Sequence, residues 1–272
     1  RSSDLIDWCD AKGYAVSTLK LFLTKIKGVC YHFELEGEKI NPYVRVLTKD
    51  IVDKKKIEIL KRHKVDKNFL EGKTILDLGS GPAGVAKGLH LMVNEGLILK
   101  CNIIAADPLM DFYKNEIGIL KEANNLKLLT NKGENLDLAE ESVDVIISSN
   151  VLDHCDNPDL LINESYRVLK PGGVFLPSVH LVYGYLGFLS SFIKYFDTNH
   201  PHHFTDNKII DKLNLKYDEV NIIKKYSMNY DQKQFTFLNI FKSKNKLRSI
   251  KRYLSNFVLY TCYFECKKIN KL

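Results

Sequence analysis

Apolar and polar residues alternate in blocks through the middle of the chain, and the blocks are of two kinds. Nearly continuous apolar runs are typical of strands buried on both faces, and apolar residues three or four positions apart mark one face of a helix. Strand-like runs occupy residues 74–79, 102–107, 126–130, 143–149 and 174–180, with helical patterns between them. This alternation predicts a parallel sheet wrapped by helices.

The helix before the fifth of these strands has the clearest boundaries. Asn157 is a residue type that caps helix N-termini, Pro158 suits the first helical position, and Asp159 favours the positive end of the helix. The run Lys170-Pro171-Gly172-Gly173 is typical of a helix stop. We therefore expect one helix between Asn157 and Lys170.

The two ends of the chain are predicted to add a cap and a sheet edge. Residues 1–70 carry short helical and strand patterns of their own. A late helix is predicted at residues 206–215, and two late strands at residues 220–228 and 257–266 can pair as a hairpin on the far edge of the sheet. The predicted fold is α/β, with a small N-terminal cap followed by a seven-stranded, mostly parallel sheet, covered by helices on both faces, within residues 71–272.

The composition is that of a packed globular protein. Of the 272 residues, 45% are hydrophobic and 27% are charged, which is more apolar than a disordered chain. The most apolar stretch, residues 181–196, is broken by glycines, serines and a lysine, so it falls short of the roughly 18 uninterrupted residues of a membrane span. The six cysteines are scattered, with no second close pair to complete a zinc site, and free thiols fit the cytoplasm.

The charge balance leaves two interpretations open. The formal net charge is +7, with basic clusters at residues 54–56, 61–64 and 242–252. Such a balance favours an anionic partner, for example a nucleic acid. Lysine-rich helix faces in contact with solvent explain it equally simply. A nucleic-acid partner is the less favoured of the two, because the sequence has no RNA-binding module and no interleaving of aromatic and basic residues.

The strongest motif follows the first predicted strand and reads Leu76-Asp77-Leu78-Gly79-Ser80-Gly81-Pro82-Ala83-Gly84. Glycines at a strand-to-helix turn let the backbone bend tightly and approach a ligand, and the N–H groups of a helix start attract an anion. The segment also fits the G-x-G-x-x-G pattern of dinucleotide-binding proteins. Taken alone, it does not separate a nicotinamide or flavin enzyme from a methyltransferase.

Two carboxylates favour S-adenosylmethionine over a dinucleotide. Asp77 stands two residues before Gly79, where it can hold an ammonium group, which S-adenosylmethionine carries and a pyrophosphate lacks. The alternative for Asp77 is a loop-capping aspartate. Asp107 ends the second predicted strand, where it can accept hydrogen bonds from both ribose hydroxyls, worth about 1.5–3 kcal/mol each. Its alternative is to cap the helix after Pro108.

An ordered series of motifs resembles the class I methyltransferases, Rossmann-like enzymes that use S-adenosylmethionine, and within them the small-molecule type known as methyltransferase type 11. The resemblance covers residues 74–180. Each motif is common by itself, whereas the whole series in this order and spacing is specific. The series is Leu76-Asp77-Leu78-Gly79-Ser80-Gly81, Asp107, Gly133-Glu134-Asn135-Leu136, residues 142–154 from Ser142 to His154, and Tyr166-Arg167-Val168-Leu169-Lys170-Pro171-Gly172-Gly173.

The resemblance implies a donor site at the carboxyl ends of the strands. Two departures from the family pattern, Ala83 in place of a third glycine and Asp137 in place of a proline, concern loop geometry and not charge. The implied donor residues are Asp77, with Gly79 and Gly81 beside the methionine and ribose, Asp107 on the ribose hydroxyls, Pro108 and Leu109 beside the adenine, the Gly133-Glu134 backbone at the adenine edge, and Asn150 near the sulfonium.

Histidines are the candidates on the acceptor side. His154, just beyond the fourth strand, is a candidate general base, with packing over the donor as its alternative. In the run His200-Pro201-His202-His203-Phe204-Thr205, the resemblance implies that one of His202 or His203 faces the acceptor, and His203 is taken as a second catalytic candidate. No metal site is expected, because only Asp206 stands near that run to complete a ligand set.

The predicted function is transfer of a methyl group from S-adenosylmethionine to oxygen, nitrogen or carbon of a small-molecule acceptor. The alternatives are an RNA or protein methyltransferase, and a partner subunit that binds the donor without catalysing the transfer. Asn150 and His154 weigh against a subunit that has lost its chemistry.

Overall fold

The computed structural model describes residues 62–63, 65–81, 85–94, 96, 98, 100–117, 122–189, 193, 200–227 and 258–269. The predicted cap, apart from its last residues, and the basic runs 54–56 and 242–252 lie outside the described residues. The cap and its boundary at residue 70 therefore stay predictions. Among the described residues, no helix is both long enough and apolar enough to cross a membrane.

Strands and helices alternate along the described chain. A turn of π-helix covers Tyr113–Ile117 and a 3₁₀ turn covers Gly184–Leu189. The other elements are α1 Lys67–Leu70, β1 Thr74–Leu78, α2 Val85–Asn94, β2 Asn102–Ala106, α3 Met110–Phe112, β3 Leu126–Leu129, β4 Val143–Ser149, α4 Pro158–Val168, β5 Leu169–Val182, α5 Asp206–Asn214, β6 Glu219–Ser227 and β7 Leu259–Lys267.

The seven strands form one sheet in the order β3-β2-β1-β4-β5-β7-β6. Strands β1 to β5 pair in parallel, and β7 runs antiparallel to both β5 and β6. The predicted hairpin at the far edge is confirmed, as is the mostly parallel seven-stranded sheet. The order along the sheet reverses between β1 and β4, which is where open α/β sheets bind ligands.

Two apolar layers cover the faces of the sheet. Successive strand residues point to opposite faces, so Ile75 packs with Leu89 of α2 in one layer, while its neighbour Leu76 packs with Leu161 of α4 in the other. Ile209 of α5 joins the second layer. Burial on both faces explains why the central strands are apolar without alternation, and helices on both faces are confirmed.

Strand β5 is longer than the sequence pattern predicts, since it includes the Lys170–Gly173 run that the pattern predicts to be a loop. Gly172 adopts a φ of 78°, and its N–H donates to the Lys268 carbonyl at 2.6 Å. In return, the Lys268 N–H donates to the Gly173 carbonyl at 3.1 Å. Pairing with the distant β7 therefore turns a helix-stop sequence into the start of a strand.

Helix α4 begins and ends close to the expected positions. The Asn157 side chain accepts hydrogen bonds from the N–H groups of Asp159 at 3.0 Å and Leu160 at 3.2 Å. These two donors have no partner inside the helix, so the cap satisfies them. The cap matters for the site because α4 supports the loop that follows β3.

Replacing the cap should weaken the fold measurably. We expect Asn157→Ala to lower the free energy of unfolding by about 1 kcal/mol, because two helical N–H groups lose their acceptor. Urea denaturation followed by circular dichroism measures the change. Asn163→Ala, at an exposed position within the same helix, is the matched control and should leave the midpoint nearly unchanged. Equal losses in both variants would contradict the capping role.

Candidate functional site

A cleft with an empty volume of about 780 Å³ opens at the carboxyl ends of the parallel strands. The segments after β1, β2, β3 and β4 all reach it, because parallel strands end at the same edge of a sheet. Its lining residues are Gly79, Asp107, Pro108, Leu109, Tyr113, Asn131, Lys132, Gly133, Glu134, Ser149, Asn150, Val151, His154, Cys155 and Asp156. Of the eleven predicted site residues, eight lie in this lining, and Asp77, Gly81 and His203 do not.

The loop after β1 approaches the cleft with a bare backbone. Gly79 has a φ of 68°, a conformation that favours glycine, and a Cβ added there would overlap the side chain of Val151. The N–H of Gly79 donates to the Ala106 carbonyl at 2.8 Å, which holds this loop against the end of β2. Residues 82–84, the rest of the glycine motif, lie outside the described residues.

Asp107 joins the loops after β1 and β2. Its Oδ2 accepts the Gly81 N–H at 2.8 Å, and its Oδ1 accepts the Leu109 N–H at 2.9 Å. The side chain is 8% exposed and borders the cleft. Each carboxylate oxygen can accept more than one hydrogen bond, so both keep acceptor capacity for a ligand. Gly81, itself outside the lining, acts here through its backbone.

Asp77 has a structural partner. Its Oδ2 accepts the N–H of Ala86 in the first turn of α2 at 2.7 Å, and the residue is 2% exposed. This contact is the one expected of a carboxylate that caps the start of a helix. The expected contact of Asp77 with an ammonium group stays a prediction, because the residue does not border the cleft.

The turn after β3 is fixed from beneath by α4. Glu164 accepts the Leu136 N–H at 2.8 Å, and Arg167 donates to the Leu138 carbonyl at 2.9 Å. Hydrogen bonds from Arg167 hold the pKa of Glu164 below its usual range. The Glu134 carboxylate accepts the Asp156 N–H at 2.7 Å, so this side chain connects the loops after β3 and β4. The Gly133-Glu134 turn itself borders the cleft.

Asn150 ends β4 in a conformation that few side chains adopt. Its φ is 56°, and asparagine is among the residues that tolerate this left-handed region. The backbone N–H donates to the Ser178 carbonyl at 2.9 Å, and the side chain lies 3.5 Å from the ring of His180. The turn that follows therefore leaves the sheet sharply and carries the next residues over the cleft.

His154 lies on this turn, in the cleft lining, as the sequence predicts for a residue that acts on the acceptor. It is 9% exposed, and its backbone N–H donates to the Val151 carbonyl at 2.9 Å. Its ring lies 4.6 Å from that of His200, which comes from the segment before α5. Asp153, beside it, is fully buried. An imidazole and a second histidine thus face each other at one end of the cleft.

His203 lies outside the cleft lining, so its expected role toward the acceptor stays a prediction. His202 has a structural contact, since its Nε2 lies 2.9 Å from the Cys155 carbonyl. Thr205 occupies the N-cap position of α5 without a side-chain cap bond. In the apolar stretch 181–196, Tyr185 and Phe188 are 72% and 77% exposed, and much of residues 190–196 lies outside the described residues.

Several residues that line the cleft are not predicted from the sequence. Tyr113 comes from the π-helical turn, and Asn131, Lys132 and Asp156 come from irregular loops. The only sequence signal for them is their position directly after a strand or a motif residue. Cys155 also lines the cleft, and burial, followed by the nearby Glu134 and Asp153 carboxylates, raises its pKa far above that of an ordinary thiol. The protonated thiol is a poor nucleophile.

The family comparison agrees with this geometry. Residues 76–176, which run from β1 to β5, match the family model described as a methyltransferase domain. Residues 76–176 of this chain are therefore similar to a methyltransferase domain. The matched segment contains every lining residue of the cleft, and the methyl donor of class I methyltransferases is S-adenosylmethionine, as the resemblance implies.

Relatives and solved structures resemble parts of the chain. An uncharacterised protein of Methanocaldococcus jannaschii is 30% identical over 46% of this chain and 50% of its own length. A human thiol S-methyltransferase is 31% identical over 38% of this chain and 46% of its own length. The chain thus spans about half of these relatives. The structure of a sarcosine dimethylglycine methyltransferase from Galdieria sulphuraria shares the fold, with a TM-score of 0.59, 14% identity, and coverage of 83% of this chain and 93% of its own.

Replacing Gly79 by alanine should lower the free energy of unfolding more than the same replacement at another glycine with a similar φ. Gly79→Ala adds an overlap with Val151 to the cost of the positive φ, so we expect its free energy of unfolding to fall by about 1–3 kcal/mol more than that of Gly72→Ala. Gly72 is the matched control, with a φ of 71° and no atom within 4 Å of an added Cβ. Chemical denaturation of both variants measures the difference.

Shortening the neighbour tests the cause of that difference. If the overlap with Val151 is responsible, the double variant Gly79→Ala/Val151→Ala should recover part of the loss that Gly79→Ala causes relative to Val151→Ala alone. Identical losses in the Gly79 and Gly72 variants would show that the close approach to Val151 is not a constraint.

Proposed function

We propose that this chain transfers a methyl group from S-adenosylmethionine to a small-molecule acceptor. The observation that carries the proposal is the Asp107 carboxylate. It borders the cleft at the end of β2, and it accepts backbone hydrogen bonds from the loops after β1 and β2. A fixed carboxylate at this position is suited to the vicinal hydroxyls of a ribose.

The remaining lining residues fit the other parts of the donor. The bare backbone of Gly79 leaves room for a ligand to approach the loop after β1, which a side chain would fill. Leu109 and Pro108 offer apolar surface for an adenine, and the Gly133-Glu134 turn offers backbone groups at its edge. Asn150 stands between this donor end and His154, where the sulfonium is expected.

The residues of the chain mainly align the two reactants. When bound, S-adenosylmethionine supplies a methyl group on a sulfonium, which is an intrinsically good leaving group. Alignment of the acceptor with that group therefore contributes much of the acceleration. His154 faces the acceptor end of the cleft and takes up a proton where the nucleophile carries one.

The acceptor is proposed to be a small molecule. The human relative is named for the methylation of thiols, which are small nucleophiles. An RNA or protein acceptor has no comparable support among the described residues, because the basic runs 54–56 and 242–252 lie outside them.

Removing the Asp107 carboxylate should abolish detectable donor binding. Calorimetry should show that Asp107→Ala binds S-adenosylmethionine at least roughly 100-fold more weakly, because two charge-assisted hydrogen bonds are lost. Asp111→Ala, four residues later on α3, is the matched control and should bind normally. Circular dichroism checks that both variants fold. Full affinity in a folded Asp107→Ala protein would remove the ribose assignment.

Removing the His154 imidazole should separate donor binding from turnover. His154→Ala is expected to bind S-adenosylmethionine within a few fold of the parent chain, because the side chain lies at the acceptor end of the cleft. Release of S-adenosylhomocysteine with a panel of thiols, amines and hydroxyl compounds should fall by about 100-fold or more. His90→Ala, remote from the cleft, is the control. Unchanged turnover in the His154 variant would assign the residue to packing.

A further inference from the structure

A carboxylate and two imidazoles meet at the acceptor end of the cleft. Asp153 and His154 lie on the turn after β4, and His200 lies on the segment before α5. One ligating atom from each of the three side chains lies within 4.8 Å of the other two. Among the described residues, this is the group whose side chains are arranged to hold a metal ion.

The Asp153 carboxylate is the observation that points to a cation. The residue is 0% exposed, and its Oδ1 has no hydrogen-bond partner among the described residues. Its Oδ2 lies 3.4 Å from the backbone N of His180 and 3.9 Å from Nε2 of His200. A buried carboxylate oxygen without a partner is costly, and a cation bound to it would remove that cost.

The two segments that carry the group are held together by contacts of their own. The backbone N–H of His202 donates to the Asp153 carbonyl at 3.4 Å, and the Nε2 of His202 lies 2.9 Å from the Cys155 carbonyl. These contacts keep His200 beside the turn. His180 adds a third imidazole near the group, with its ring 5.3 Å from that of His200. These contacts therefore hold the three side chains near one another without a bound ion.

The donor set indicates which ion fits. One carboxylate oxygen with two imidazole nitrogens suits divalent first-row transition metals such as Zn²⁺, and suits Mg²⁺ or Ca²⁺ poorly because those prefer oxygen ligands alone. Ligand atoms on a tetrahedral Zn²⁺ lie about 3.3 Å apart, so the group closes by small side-chain rotations. The Cys155 thiol does not belong to the group, and its Sγ donates to the Leu152 carbonyl at 3.4 Å.

We propose that Asp153, His154 and His200 bind one divalent transition metal ion beside the donor cleft. Three protein ligands leave coordination positions open, and His154 borders the cleft, so an open position faces the acceptor. The role of the ion rests on the proposed function: it would bind an acceptor oxygen or sulfur and lower its pKa, which favours the nucleophilic form. His154 would then act as a metal ligand in place of a base, and the proton of the cation-bound acceptor would pass to solvent water.

Metal uptake by the full chain tests the proposal without any turnover assay. The protein is stripped with a chelator, dialysed against Zn²⁺ or Co²⁺ alone, and assayed for bound metal, with the Co²⁺ absorption bands reporting the ligands. We expect one ion per chain in the parent that is absent from Asp153→Asn and His200→Ala, corresponding to at least roughly 100-fold weaker binding. His90→Ala, whose ring bonds Asn125 at 2.7 Å, is the histidine control and should keep the ion.

Each outcome decides the proposal. Ions held elsewhere in the chain are common to all variants, so the difference between the parent and the two ligand variants is the measure. Equal uptake in the parent, Asp153→Asn and His200→Ala overturns the proposal, and so does a parent that takes up no ion at all. If one ligand variant does not fold, the comparison with the other decides. A parent whose melting temperature does not rise with Zn²⁺ concentration also overturns the proposal.

Donor binding separates this inference from the proposed function. His200→Ala should bind S-adenosylmethionine as the parent does, since His200 lies outside the cleft lining. A parent that binds the donor and no metal ion overturns the metal site alone. A parent that takes up one metal ion and no donor overturns the proposed function alone.

Discussion

The two backbone hydrogen bonds of the Asp107 carboxylate hold the donor end of the cleft together. One oxygen fixes Gly81 after β1 and the other fixes Leu109 after β2, so a single buried charge sets the distance between two loops. The same carboxylate borders the cleft. Under the proposed function, the residue that fixes the two loops would also contact the donor, so removing its charge would affect loop geometry and donor binding together.

The same edge of the sheet explains why much of the site is predictable from sequence. Parallel strands deliver their carboxyl ends to one edge, so a strand pattern that ends in Asp107 or Asn150 already places those residues near each other. The bounds of β4 agree with the pattern residue for residue, because both of its faces are buried and its composition changes abruptly at each end. Local hydrophobic patterns predict the bounds of a strand correctly where burial alone determines the structure.

Other features depend on partners far along the chain, and these have no local signal in the sequence. The start of β5 is a helix-stop sequence that becomes a strand because β7 offers the Lys268 backbone to Gly172. Asp77 illustrates a chemical ambiguity, because a carboxylate before a helix can hold an ammonium group or cap the helix. Its hydrogen bond from the Ala86 N–H has no signal in the sequence that separates these two roles. Tyr113 lines the cleft from an irregular turn that has no period to detect.

For the histidine run before α5, the carboxylate that is nearest in the sequence is not the one that lies nearest in the structure. Within the run itself, Asp206 is the nearest carboxylate in sequence, and in the structure that side chain pairs with Lys225 at 2.7 Å. The carboxylate that His200 faces is Asp153, because packing of the segment before α5 against the turn after β4 brings the two together. That turn also carries Asn150 and His154, which both line the cleft. The contacts that hold the segment before α5 against the turn therefore also help to fix the backbone of two lining residues.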